Sequence, residues 1–145
     1  MSFMSDKTFI DTNVLVYAYD LEAGEKNRIA NEILDRLWDE RSAVLSVQVL
    51  QEFYVNITRK IRTPLIREQG RVVVSQYTRW CVGIEPSDIQ SAFRVEEQYR
   101  INFWDALIVS SALKSGATRI LTEDLNSGER IAGILIANPF MTTSR

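Results

Sequence analysis

The chain contains no histidine among its 145 residues, and only one cysteine. The first absence removes imidazole as general base, nucleophile partner and metal ligand. That closes most routes to hydrolytic chemistry other than those run by carboxylates. The second excludes an intrachain disulfide, so nothing points to an oxidising compartment, and Cys81 reads as a small buried apolar residue. Positive charge is not in excess either: 17 Lys and Arg against 19 Asp and Glu leave a net charge of −2. This argues against a uniformly basic nucleic-acid binder but leaves local patches open. No stretch approaches the ~18 uninterrupted apolar residues of a membrane span. The N-terminal MSFMSDKTFIDT also lacks a basic region leading into an apolar one. The expectation is a cytoplasmic protein with no membrane association.

What is present is an alternation of short apolar segments with helical periodicity. A chain of 145 residues suits one domain over residues 1–145 that buries ~70% of the surface exposed when unfolded. Strands are predicted at Lys7 to Ile10, Ala43 to Leu45, Gly83 to Glu85, Arg119 to Leu121 and Gly133 to Ile136. Between them, Ile29, Ile33, Leu34, Leu37 and Trp38 form a helical stripe within Glu25 to Asp39. Ser46 is placed to cap a helix carrying Leu50, Phe53, Tyr54, Ile57 and Ile61. A further helix is predicted from Leu65 to Trp80, after a break at Thr63 and Pro64. Pro86 and Ser87, with Gln90 three residues on, give a capping-box start to the next. Trp104 to Leu113 is apolar nearly all round, as in a helix buried on most sides, and Gly116 closes it. Both Trp104 and Trp80 are accordingly expected in the core. Short unbroken strands alternating with helices predict an α/β fold with a parallel sheet covered on both faces.

In such folds the carboxyl ends of the strands face ligand. Asp11, in FIDTNVLVYAYD, ends the first strand, while Asp105 in NFWDALIVSSAL and Asp124 in RILTEDLNSG lie at a helix start and a strand end. Glu52, in VLQEFYVN, lies inside a helix on a polar face with Gln48, Asn56 and Arg59. Four acids gathered by the fold suit a hard divalent cation such as magnesium or manganese, which takes oxygen ligands and substrate phosphate. Each has a plainer explanation. Asp11 suits the cap of a helix starting near Asn13, Asp105 completes a capping pair with Asn102, Asp124 and Glu123 suit a turn, and the Glu52 face suits water.

The strings IDTNVLVYA, VLQEFY, FWDALIVSSAL and ILTEDLNSG together resemble the PIN-domain family of metal-dependent nucleases, in particular the VapC-like ribonuclease toxins of toxin–antitoxin modules. The resemblance runs from about Lys7 to Phe140. It implies a three-layer α/β/α sandwich with a central parallel sheet. It also implies that Asp11, Glu52, Asp105 and Asp124 meet at the carboxyl end to bind Mg2+ or Mn2+, with Asn13 and Thr122 orienting them. It further implies an endoribonuclease that cuts a structured RNA such as tRNA or rRNA, leaving a 5′-phosphate and a 3′-hydroxyl. A cognate antitoxin and a homodimer are the implied partners, and the apolar surface after Ser46 suits the dimer.

An acidic chain still has to meet RNA. Arg59, Lys60, Arg62, Arg67 and Arg71 cluster against the single acid Glu68, a patch able to neutralise several phosphates; a pair of solvated helix ends would look the same. The alternatives are a PIN-fold maturation or repair nuclease without antitoxin, an Asp11-nucleophile phosphotransfer enzyme, and a metal-free binding module. The phosphotransfer reading is disfavoured because DTN lacks a second Asp two residues after Asp11.

Overall fold

Phe9 and Ile10 have no solvent exposure, because the strand that carries them, β1 (Lys7–Ile10), lies between neighbours in the sheet. The computed structural model describes residues 6–141; residues 1–5, part of the N-terminus considered above for a targeting signal, lie outside that range. After β1 come α1 (Thr12–Tyr19), α2 (Glu25–Glu40), β2 (Ala43–Ser46), α3 (Val47–Val55) and α4 (Arg67–Tyr77). The chain continues through β3 (Cys81–Val82), α5 (Pro86–Tyr99), α6 (Phe103–Ser115), β4 (Ala117–Leu121), β5 (Arg130–Ile131) and β6 (Ile134–Ala137). The six strands lie in the order β3-β2-β1-β4-β6-β5. All pairings are parallel except that of β5 with β6. Helices α1 to α4 pack on one another, α5 packs with α6, and α6 lies on β2, β3 and β4. The result is the expected three-layer α/β/α arrangement, with Leu45, Val49, Phe53, Ile120 and Ile136 fully buried between the layers. Each such side chain contributes about 1.5–3 kcal/mol of burial.

The edge strand β5 departs from the wholly parallel expectation. Ala132 (φ 53°) and Gly133 (φ 84°) both adopt left-handed backbone, which turns β5 back on β6 as a two-residue hairpin. The last strand therefore starts at Ile134 rather than Gly133. The third strand lies at Cys81–Val82, not Gly83 to Glu85, because Glu85 caps the next helix. Glu85 and Asp88 form a reciprocal capping box with Pro86 in the first turn, so Ser87 and Gln90 do not. Helix α4 starts at Arg67, later than Leu65, since Ile66 is still extended, and β4 starts earlier, at Ala117. Ser46 caps α3 as expected, its Oγ accepting from Val49 N at 3.2 Å. Beyond Val55, however, the helix widens into a π turn over Asn56–Lys60, closed by Ile61 N donating to Asn56 O at 3.1 Å. Trp80 packs against Trp38 and Tyr77, in keeping with a packing role. Trp104 does not: it is 63% exposed. The buried stretch of α6 begins at Ala106, so the apolar run overstated burial of its first turn.

Candidate active site

The strand order reverses at β1. The chain steps outward from β1 through β2 to β3, then crosses to the other side with β4. The crevice above such a reversal, at the carboxyl ends of the strands, is where open α/β sheets hold ligand. Asp11 follows β1 there, and Thr122 and Asp124 follow β4. Asp105 reaches the same end because α6 runs back to the start of β4 through Gly116 (φ 77°), which places its first turn above the strand's carboxyl end. Glu52 arrives on α3, which springs directly from the carboxyl end of β2.

A chain of hydrogen bonds links Asp11, Thr122, Asp124 and Glu52, while Asp105 bonds only to its own helix cap. Asp11 Oδ1 accepts from Thr12 N at 2.8 Å, and its Oδ2 accepts from Thr122 Oγ1 at 2.8 Å. Thr122 Oγ1 in turn accepts from Asp124 N at 3.0 Å and from Asn13 Nδ2 at 3.3 Å. Asn13 Nδ2 also reaches Asp124 Oδ2 at 3.1 Å. Thr12 Oγ1 donates to Glu52 Oε1 at 2.7 Å. Asn102 caps α6 by accepting from Asp105 N at 2.9 Å and donates to Asp105 Oδ2 at 2.8 Å. The capping roles read for Asp11 and for the Asn102–Asp105 pair are thus real. They coexist with the gathering of these carboxylates at one end of the sheet.

The electrostatics record that gathering. Burial pushes the Asp11 carboxyl up to about 6, with the negative charges of Asp124 and Glu52 adding to the rise and the bonds from Thr122 and Thr12 opposing it. Asp105 is raised from its ordinary value too, by burial first and then by Asp124 and Glu52, against the bond from Asn102. Each of these two carboxylates therefore feels both of the others across the crevice. Among the described residues no three acids close into a preformed ligand set. Each is held by a neutral hydroxyl or amide donor. The donors on offer are carboxylate, carboxamide and hydroxyl oxygens, without imidazole or thiolate. That chemistry fits a hard divalent cation.

Around the carboxylates lie two shallow clefts. One, of about 280 Å³, is lined by Thr12, Asn13, Val16, Tyr17, Asn56 and Asp124. The other, of about 380 Å³, is lined by Thr12, Gln51, Glu52, Val55, Asn56 and Lys60. Of the basic cluster, Lys60 lines the second cleft, and Arg62 pairs with Glu22 at 3.5 Å on the surface. Arg67 and Arg71 project from α4 into solvent, and Arg59 is exposed on the π turn; none of these three lines either cleft. Two features of the site have no counterpart among the residues singled out from the sequence: Thr12, whose hydroxyl ties Glu52 to the Asp11 loop, and the group in which Tyr17 and Lys26 (Nζ 3.0 Å from Glu123 Oε2) hold Glu123 beside the site. Thr12 was signalled only as a small polar residue between two recognised positions. Tyr17 and Lys26 carry no local signal at all.

A family model described as PIN domain matches residues 8–133. Among solved structures, the chain is similar to a toxin–antitoxin complex from Klebsiella pneumoniae, at 18% identity and a TM-score of 0.68 over 94% of this chain and 100% of that one. It is similar to DNA-bound VapBC from Salmonella typhimurium, at 18% identity and a TM-score of 0.66 over 93% and 99%. The sarcin–ricin-loop-cleaving toxin VapC20 of Mycobacterium tuberculosis aligns at 15% identity with a TM-score of 0.60, over 81% of this chain and 90% of that one. At such identities the likeness is one of fold. No curated protein matches the chain.

Proposed function

The chain belongs to the PIN domain family, and from that membership we propose that it is a metal-dependent endoribonuclease acting as the toxin of a toxin–antitoxin pair. The observation that carries the reading is the charge left uncompensated at the sheet reversal, where Asp11 and Asp105 are each raised by burial and by both Glu52 and Asp124. A divalent cation held there would offset that repulsion and supply charge complementary to a phosphate. The folds it resembles come from structures named for toxin–antitoxin assemblies and for a sarcin–ricin-loop-cleaving toxin, which favours the toxin reading over a nuclease without antitoxin.

Asp11, Asp105 and Asp124 would hold Mg2+ or Mn2+, with Glu52 as a fourth carboxylate able to take a second ion or to orient the attacking water. Bound, the metal supplies a Lewis acid for the scissile phosphate and a water of lowered pKa. The chain's own residues do the rest. Thr122 fixes one Asp11 oxygen and Asn13 fixes Asp124, so the carboxylates meet substrate already oriented. Water attacks phosphorus, the bond to the 3′ oxygen breaks, and that oxygen leaves with a proton. The products are a 5′-phosphate and a 3′-hydroxyl. With no histidine in the chain, no imidazole pair is present to drive attack by the ribose 2′-hydroxyl. Lys60, on the wall of the Glu52 cleft, meets a flanking phosphate, and Arg59, Arg62, Arg67 and Arg71 extend that contact along the strand. The exposed apolar side chains Val55, Ile66 and Val72 suit a homodimer.

The test is cleavage of a pool of total tRNA and rRNA by the purified protein with manganese or magnesium, with chelator, and with Asp11→Asn. Discrete cuts that vanish with chelator and with the variant are expected. A 2′,3′-cyclic phosphate product, or cutting that survives both, would overturn the reading.

A further inference from the structure

A groove lies away from the carboxylates. It has a volume of about 650 Å³ and is lined by Lys7, Trp38, Arg41, Ala43, Val44, Arg79, Trp80, Cys81 and Val82. Lys7, Ala43 and Cys81 are the first residues of β1, β2 and β3, so the groove lies at the amino end of the parallel strands, opposite the reversal crevice. Three of its lining residues are cations and none is an acid. Among the described residues, Lys7, Arg41 and Arg79 take part in no ion pair. A concave surface carrying three uncompensated positive charges concentrates anions.

The groove is aromatic as well as cationic. The Trp38 and Trp80 rings stand 4.9 Å apart between centroids, and the Arg79 guanidinium lies 5.4 Å from the Trp38 ring. This cation–π contact keeps the guanidinium beside the ring, where its N–H groups can donate to an oxyanion. Trp38 remains 42% exposed although Leu34 and Leu37 on the same helix are buried. Two indoles beside three cations offer a flat π-bearing ligand a surface to stack on and its phosphate a set of donors. We infer that this groove is a binding site for a nucleoside phosphate, with the base against the tryptophan pair and the phosphate on Lys7, Arg41 and Arg79. The chemistry is the same for a free nucleotide and for one residue of a single-stranded RNA. The site does not depend on the carboxylates, so its test does not depend on cleavage.

Tryptophan fluorescence reads it directly in a Trp104→Phe background, where the two remaining indoles are the ones that line the groove. With chelator present throughout, the protein is titrated with adenosine 5′-monophosphate, with adenosine, and with a short single-stranded RNA. Saturable quenching by the monophosphate is expected, with adenosine binding roughly tenfold or more weakly, the effect of losing charge-assisted hydrogen bonds. Arg41→Gly combined with Arg79→Ala should abolish it at unchanged circular dichroism. Glycine suits the left-handed backbone of Arg41 (φ 54°), so that change removes charge without strain. RNA binding tighter than the monophosphate assigns the site to a strand, and monophosphate binding without RNA binding assigns it to a free nucleotide. No saturable quenching by either ligand, equal affinity for adenosine and its monophosphate, or full binding by the folded double variant would each overturn the inference.

Discussion

Thr122 Oγ1 donates to Asp11 Oδ2 at 2.8 Å across the point where the sheet reverses direction. The same oxygen accepts from Asp124 N and Asn13 Nδ2, so its one proton is committed to Asp11. A fully buried hydroxyl thereby sets the orientation of a carboxylate 7% exposed and couples the loops after β1 and β4.

Asp11→Asn separates stability from function. The Asp11 carboxyl is raised from 3.8 to about 6 on folding, so between those values the folded state keeps a proton that the unfolded state has lost. Stability of the metal-free protein therefore falls as pH rises through that window, by roughly 3 kcal/mol from this group when complete. Asparagine carries no charge to desolvate. The variant is expected to melt higher than the parent at pH 7 to 8 without metal and to cut no RNA. Calorimetry with chelator from pH 4 to 8 checks it: the two proteins should converge toward pH 4, and a parent that gains stability with rising pH would refute the assignment.

Magnesium or manganese should raise the melting temperature of the parent and leave that of Asp11→Asn nearly unchanged, because the cation stabilises only the state that binds it, by RT ln(1 + [L]/Kd). A shift of equal size in both proteins would place the ion elsewhere.

Thr122→Val removes the bond that lowers the Asp11 carboxyl while keeping the side chain's volume. The carboxyl then rises further, and the acid limb of the cleavage profile moves to higher pH. A loss of roughly tenfold near pH 6, recovering toward pH 9, is the expected pattern. A uniform loss at all pH values would show that Thr122 acts only through packing.

The sequence exposes Asp11, Asp105 and Asp124 because each lies at the boundary of a recognisable element. Asp11 closes an apolar strand signal, and Asp105 sits three residues after its helix cap, so position along the chain already implies position in the crevice. Glu52 had no such marker, since a polar helix face looks the same toward a cleft as toward water; only the family resemblance singled it out. Tertiary contact explains the rest of the shortfall. Trp104 reads as core because periodicity describes a helix as if all its turns were covered equally, whereas burial in α6 begins only at Ala106. Strand β5 is two residues long, too short for alternation to register, and its turn uses Ala132 where Asn or Asp would have announced it. Glu85 was assigned to a strand because its capping partner, Asp88, lies inside the helix that it starts.

Lys60 and Arg62 were indistinguishable as neighbours in a basic run, yet one lines the Glu52 cleft and the other pairs with Glu22. For binding of single-stranded RNA to protein blocked by chelator, Lys60→Ala should lower the slope of log Kobs against log salt by about 0.7. Arg62→Ala should change it less. Equal slopes for Lys60→Ala and the parent would remove Lys60 from the RNA path.

Gly70 tests whether the π turn is held in place from outside. A Cβ on Gly70 would stand 2.5 Å from Thr58 Cγ2, and Thr58 cannot swing aside freely because its Oγ1 donates to Tyr54 O at 2.7 Å. Alanine in a helix gains about 1 kcal/mol over glycine, but overpacking costs typically 1–3 kcal/mol. Gly70→Ala should therefore destabilise the protein on balance, against the propensity scale. Thr58→Ser deletes the offending methyl and keeps the hydroxyl, so the double variant should recover and exceed the parent by up to about 1 kcal/mol. Denaturant unfolding of the four proteins closes the cycle. If Gly70→Ala alone is stabilising, α4 does not press on the π turn. If the cycle shows the coupling, the same single variant should also weaken RNA binding, because displacing the turn moves Lys60 off the wall of the Glu52 cleft.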